Sequence, residues 1–221
     1  MIRQFYEVPG KTLTLNPGEY LFREGDHAKY FYFVRSGQIF ITKFAESGRV
    51  LSLRLATHGS IIGELPLYEE VPTYIFNAIA QSPSEVYAIE FSTLHSWLEK
   101  KPSLAINLLK IIGVHMRKQH SKFRDLFLYG KKGAIYSTLI RFANSYGQEV
   151  DGGILINVSL TNQELANYSA TARESLNRML SDLRQQKVID VIDGRILIRD
   201  INFLKHEIQC EECGREICNI E

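Results

Sequence analysis

The first 209 residues of this chain contain no cysteine. All three that it has, Cys210, Cys213 and Cys218, crowd together at its far end. A disulfide framework spanning the fold is thereby excluded, and a thiol cluster in a reducing compartment points to a metal or redox site. No apolar run approaches the roughly 20 residues that cross a bilayer. The opening stretch "MIRQFYEVPGK" lacks the apolar core of a signal peptide. The expectation is a cytoplasmic protein with no membrane partner. Excess charge is missing too: the net charge is +1, so the whole chain is not a general magnet for nucleic acid. Histidines are scarce. His27, His58, His95, His115, His120 and His206 form no spacing with acids or nucleophiles that supports catalysis, so an enzyme is not expected. There is no internal repeat and no low-complexity segment.

What charge there is lies unevenly. Arg117, Lys118, Lys122, Arg124, Lys131 and Lys132 surround a single acid, Asp125. The last fifteen residues reverse the balance, with Glu207, Glu211, Glu212, Glu216 and Glu221 against Arg215. Residues 1–92 carry β-rich runs such as "YFYFVRSGQIFITK", "RVLSLRLA" and "EVYAIE", broken by "NPGE", "EGD", "SG" and "HGS". That punctuation predicts a barrel or sandwich of short strands. From Thr93 the period changes. Ala105, Leu109, Ile112, Met116, Gln119, Phe123 and Leu126 step by fours and threes, the spacing of a heptad seam. A helix over 93–128 follows, packed on its own domain or forming a homodimer coiled coil; the basic residues flanking the seam favour the dimer.

After the break at "YGKKG", "AIYSTLIRFANSYG" predicts a further helix. Thr161 with Glu164 three residues on is a capping-box pattern, and Thr171 with Glu174 repeats it. In the second of these helices Leu176, Met179, Leu180 and Leu183 share one face. Arg173, Glu174, Asn177, Arg178, Ser181, Arg184 and Gln185 share the other. "VIDVIDGRILIR" then places two β-rich arms around Asp193-Gly194, a strong hairpin signal. Two short helices and a hairpin predict a winged helix-turn-helix over 129–206, with a tail at 207–221. Arginine can hold guanine in a bidentate fork and a carboxylate can accept from cytosine, so Arg173, Glu174 and Arg178 are candidate base readers. Asn177, Thr171 and Thr161 complete the candidate DNA-binding set. The alternative is a solvated helix face with Glu174 acting only as a cap.

With these pieces in order, the sequence resembles the CRP/FNR family of bacterial transcription regulators along nearly its whole length. "NPGEYLFREGD", "VRSGQIFI" and "IIGELPLYEE" resemble its cyclic-nucleotide-binding-type β-roll, and "RESLNR" its recognition helix. The resemblance implies an α+β protein with a jelly-roll-like β-roll (1–92), a dimerisation helix and a winged helix-turn-helix. It implies a homodimer on a palindromic, TGTGA-like double-stranded operator, with RNA polymerase a further partner. In nucleotide-binding members Gly-Glu is followed ten residues after the Glu by an arginine and then serine or threonine. Here Gly63 and Glu64 are followed by Tyr74 and Ile75 instead. A buried phosphate without a cation is disfavoured, so no cyclic nucleotide is expected.

Three thiolates repel one another unless a cation gathers them, and soft sulfur suits zinc or an iron–sulfur cluster. The spacing Cys-x2-Cys-x4-Cys resembles the FNR branch of Gram-positive bacilli. That likeness implies a [4Fe–4S] cluster on Cys210, Cys213 and Cys218, with Asp125 as the fourth ligand and oxygen sensing as the function. A structural zinc, with His206 within reach in sequence, stays open beside it, in a regulator gated by a small ligand or constitutive. So does a surface salt-bridging role for Asp125.

Overall fold

The computed structural model describes residues 2–48, 50–63 and 72–220. By its internal contacts the chain divides into two units, the first ending at Ile112 and the second running from Gly113 to Ile220.

The first unit holds strands β1 (Lys11–Leu15), β2 (Tyr20–Phe22), β3 (Tyr30–Ser36), β4 (Ile39–Phe44), β5 (Val50–Ala56), β6 (Ile61–Ile62), β7 (Asn77–Ala80) and β8 (Ser84–Glu90). They form two four-stranded sheets of order β1-β8-β3-β6 and β2-β7-β4-β5, all pairs antiparallel. In β3, "YFYFV" is apolar at every position because the strand is buried on both faces. Tyr32 and Val34 face a core shared with Phe22, Ile39, Ile41 and Ala78 of the opposite sheet. Phe31 and Phe33 face the other way. There they meet Phe5 of a 3-10 helix (Ile2–Glu7), Leu94 of α1 (Phe91–Lys100), and Leu104 and Leu108 of α2 (Pro102–Tyr146).

Helix α2 is continuous in hydrogen bonding except at Gly130, whose φ of 58° and ψ of −146° are not helical. That region is open almost only to glycine. Had the helix run straight, residues 125 and 141 would lie about 24 Å apart at 1.5 Å per residue. Instead the Asp125 carboxylate and the Arg141 guanidinium stand 3.3 Å apart. The chain therefore turns back at Gly130, and a Cβ at Gly133 would strike the carbonyl oxygen of Asp125.

The heptad residues expected in the first half of this helix divide by burial. Leu109, Met116 and Phe123 are exposed as the seam requires. Ala105, Ile112, Gln119 and Leu126 are half-buried, and Ile112 packs on the helical core of the first unit. The other exposed apolar residues of this stretch are Ile106, Val114, Phe127 and Leu128. Ile112 thus belongs to the heptad pattern and also serves the intramolecular core.

The second unit continues with β9 (Gly147–Val150), β10 (Gly153–Ile156), α3 (Asn162–Tyr168), α4 (Arg173–Gln185), β11 (Ile189–Ile192), β12 (Arg195–Ile198) and α5 (Ile201–Glu207). Its sheet has the order β11-β12-β10-β9. The β11–β12 hairpin turns on Asp193 and Gly194, at φ of 49° and 74°, as two-residue hairpins of this chemistry require. Among the described residues no helix is long and apolar enough to cross a membrane.

The Gly130 turn should fail with a side chain. Gly130→Ala is expected to lower the unfolding free energy by about 1–3 kcal/mol, read from the midpoint of a urea titration with unchanged slope.

Candidate DNA interface and sulfur site

The helix pair α3–α4 is built from local chemistry. The Thr161 hydroxyl accepts from the Glu164 amide (3.2 Å), and the Glu164 carboxylate accepts from the Thr161 amide (2.8 Å), a complete capping box. The second capping box does not form. Helix α4 is capped by Ala172 with no side-chain bond, and the Thr171 hydroxyl pairs with Ser169 Oγ at 3.0 Å. The sharp turn into α4, with Ala170 at φ 50°, takes Thr171 out of capping position and ties it to the end of α3. Thr161 and Thr171 therefore serve the helix pair. Asn177 accepts from Asn162 Nδ2 at 2.7 Å, joining the two helices.

Leu176, Leu180 and Leu183 are buried beneath α4. Arg173, Glu174 and Arg178 are exposed, and no hydrogen bond or ion pair holds them among the described residues. A guanidinium–carboxylate–guanidinium set on the first turns of a helix, free of intramolecular partners, is available to base edges.

In the first unit, the residue standing where a phosphate-binding arginine would be is Tyr74. It is buried, stacks on Phe22 with ring centroids 3.7 Å apart, and donates to the Tyr30 carbonyl at 2.7 Å. Beside it burial pushes the Tyr32 phenol well above its ordinary range. Ile75 is exposed. Gly63 lies at φ 116° with the Tyr30 carbonyl oxygen 3.2 Å from a would-be Cβ, the geometry of a turn glycine. Glu64 lies outside the described residues.

The cysteine segment docks on the second half of α2. Ile217 and Ile220 are buried there. Asn144 Nδ2 donates to the Cys218 carbonyl (2.7 Å), Arg141 Nη1 to the Ile217 carbonyl (3.2 Å), and the Ile220 amide to Ser145 Oγ (3.1 Å). Cys210, Cys213 and Cys218 line one small cavity of about 10 Å³, and Asp125, Ser121, Arg124 and Arg141 line it with them. Residues 85 and more apart in sequence are thus brought to one place. Burial pushes the Cys218 thiol up to about 11, Cys213 and Cys210 add to that, and Arg141 opposes it.

Asp125 is buried at 3% exposure, not a surface residue, and it is ion-paired with Arg124 (2.8 Å) and Arg141 (3.3 Å). Arg124 also reaches Glu211 at 3.0 Å, and Lys132 pairs with Glu207. Two acids of the tail, Glu207 and Glu211, are thereby matched by the basic stretch of α2. His206 is exposed and stands outside the cavity lining.

Sequence reasoning missed Arg124 and Arg141. Arg141 carried a signal: it is an arginine inside "TLIRFA", where the neighbouring positions are all core. Among the described residues no three His, Cys, Asp or Glu side chains are already drawn up around a single ion. The donor set nevertheless suits soft metal chemistry, with three sulfurs and one carboxylate about a common space. The wall that would have to give is strained: Gln209 and Glu212 flank Cys210 at φ 43° and 50°, a region that side chains seldom adopt.

Comparison with known proteins places both parts. Residues 12–101 match the cyclic nucleotide-binding domain model and residues 134–207 the Crp-like helix-turn-helix domain model. The chain is 47% identical to the anaerobic regulatory protein of Bacillus subtilis (strain 168) over 203 residues, 91% of this chain and 85% of that protein. Among solved structures, FixK2 from Bradyrhizobium japonicum matches 90% of this chain and 96% of its own, at TM-score 0.71 and 18% identity. A CooA mutant from Carboxydothermus hydrogenoformans matches 90% and 88%, at TM-score 0.77 and 16% identity.

Removing the acid from the sulfur site should leave Arg141 buried without its counter-charge. Asp125→Ala is expected to destabilise the metal-free protein by about 3–5 kcal/mol, measured by chemical denaturation under reducing conditions.

Proposed function

Because the chain belongs to the CRP/FNR family of DNA-binding transcription regulators, we propose that it is the oxygen- or redox-responsive kind, carrying a [4Fe–4S] cluster on Cys210, Cys213, Cys218 and Asp125. The observation that carries this reading is the convergence of those four side chains on one cavity. Its likeness to an anaerobic regulatory protein supports the same conclusion. Bound there, a cluster supplies an oxygen-labile bridge between soft thiolates and a harder carboxylate.

The chain's own residues explain what such a bridge would control. Asp125 precedes the turn at Gly130, while the cysteines ride on the helix that follows it, through Ile217, Ile220 and the Asn144 bond. Holding all four together fixes the angle at Gly130. The helix beyond it leads directly into β9, β10 and the α3–α4 pair, so the pose of the recognition helix depends on that angle. A coupling of this kind between two sites needs two poses with different ligand affinity.

Ile106, Leu109, Met116, Phe123 and Phe127 form an exposed apolar line on α2, and Phe123 and Phe127 lie 6.1 Å apart. A second copy of the chain covers this line in our reading, giving a homodimer that reads a palindromic, TGTGA-like operator with Arg173, Glu174 and Arg178. RNA polymerase is the expected downstream partner, and the cytoplasm the expected compartment. Tyr74, filling its site with an aromatic stack, supports an effector other than a cyclic nucleotide.

A second reading is favoured by the cavity's size. Space for about one water suits a single ion better than a four-iron centre unless the strained segment around Cys210 moves outward. That reading is a structural zinc on the same donors. Iron and acid-labile sulfide in anaerobically purified protein decide between them; colourless protein with zinc selects the second.

Operator binding tests the sensor. Without oxygen the wild type is expected to bind its palindrome tightly and Cys213→Ala weakly; equal, oxygen-insensitive binding by both rejects it. Base reading is separable. Arg173→Ala should cost about 1–3 kcal/mol on the specific site and relax preference at one base; uniform weakening on all sequences would make Arg173 a phosphate contact.

A further inference from the structure

Resting on the metal-site reading above, we propose that Arg141 is the positioning residue of the sulfur site: its single guanidinium assembles the ligands before metal arrives and supplies a fixed positive charge opposite the thiolates. Arg141 is 2% exposed, the largest fully buried side chain in the described residues. It lies between Ile140 and Phe142 on a helix face that is otherwise core. A buried cation is costly unless its hydrogens are satisfied and a counter-charge is near.

Its partners come from three stretches of chain. Nη2 donates to Ser121 Oγ (2.8 Å) and to Asp125 Oδ2 (3.3 Å), both before the turn at Gly130. Nη1 donates to the Ile217 carbonyl (3.2 Å), beside Cys218. One planar fork therefore spans the carboxylate ligand and the sulfur segment. A lysine carries the same charge as a point and lacks the second arm.

Before any thiolate is counted, the charged side chains around the site already balance. Arg124 and Arg141 face Asp125 and Glu211, which together are neutral. Three thiolates added to that set would leave it negative, and Arg141 is a buried cation in the lining of the same cavity. Nε of Arg141 is buried with no acceptor, so the guanidinium has a hydrogen to spare for an anion in the cavity. Arg124 also has a buried Nε without an acceptor, but its arms go to Asp125, Glu211 and the Ile208 carbonyl, whereas Arg141 bonds the carbonyl next to Cys218.

The test compares wild type, Arg141→Lys and Arg141→Gln by two readouts. In reduced, metal-free protein, Cys218 alkylation by a maleimide should be about tenfold faster in both variants, tenfold being the scale of one lost docking interaction. After anaerobic reconstitution, the reduction potential of the centre should fall in Arg141→Gln and stay near wild type in Arg141→Lys, because only the former removes the charge. Wild-type alkylation rates in both variants overturn the positioning role. An unchanged potential in Arg141→Gln overturns the charge role. If Arg141→Gln does not fold, Arg141→Lys decides: fast alkylation with a retained potential supports the proposal, and slow alkylation sinks it. Wild-type protein that takes up no iron refutes the metal-site reading separately, and the alkylation arm still tests positioning.

Discussion

A buried ion pair, Arg141 with Asp125, governs the second unit. The two residues lie on opposite sides of the turn at Gly130, and their 3.3 Å approach exists only because the helix reverses there. Burying both charges is costly, and the attraction between them offsets that cost only where the geometry is held. Ser121, Arg124 and the Ile217 carbonyl hold it. The same network seats the cysteine segment, so this buried ion pair and the three thiols occupy one place.

Such an arrangement places the sulfur side chains beside a turn between two helices. The segment from Lys131 to Tyr146 leads into the DNA-reading elements, and its packing against residues 121–125 is decided by few groups. Changing what Asp125 or Cys218 bonds to therefore acts where the chain already bends. The positive φ angles at Gln209 and Glu212 mark the tail as the part under strain, and strained backbone of this sort gathers at functional sites.

The first unit shows a different economy. Its sheet core is filled by Phe22, Tyr32 and Tyr74 stacked together. The family's β-roll architecture is kept with an aromatic plug in that position.

Local pattern carried much of this molecule. Alternating strands, the capping box at Thr161, the Asp193-Gly194 turn and the amphipathic face of α4 were all legible in the chain, because each depends on neighbours within about one or two turns. The capping box drawn at Thr171 failed because a turn between helices, a tertiary matter, moved that residue. The heptad pattern could not say which of its apolar side chains the chain's own core would take, as it takes Ile112. Cysteine spacing pointed to sulfur chemistry, yet the role of Arg141 stayed hidden: its partners Ser121, Asp125 and Ile217 lie 20, 16 and 76 residues away. Short-range order follows from residue types along the chain. Which distant charges meet in the interior was settled by folding alone, since a buried pair gains its meaning only when water has been excluded from both members.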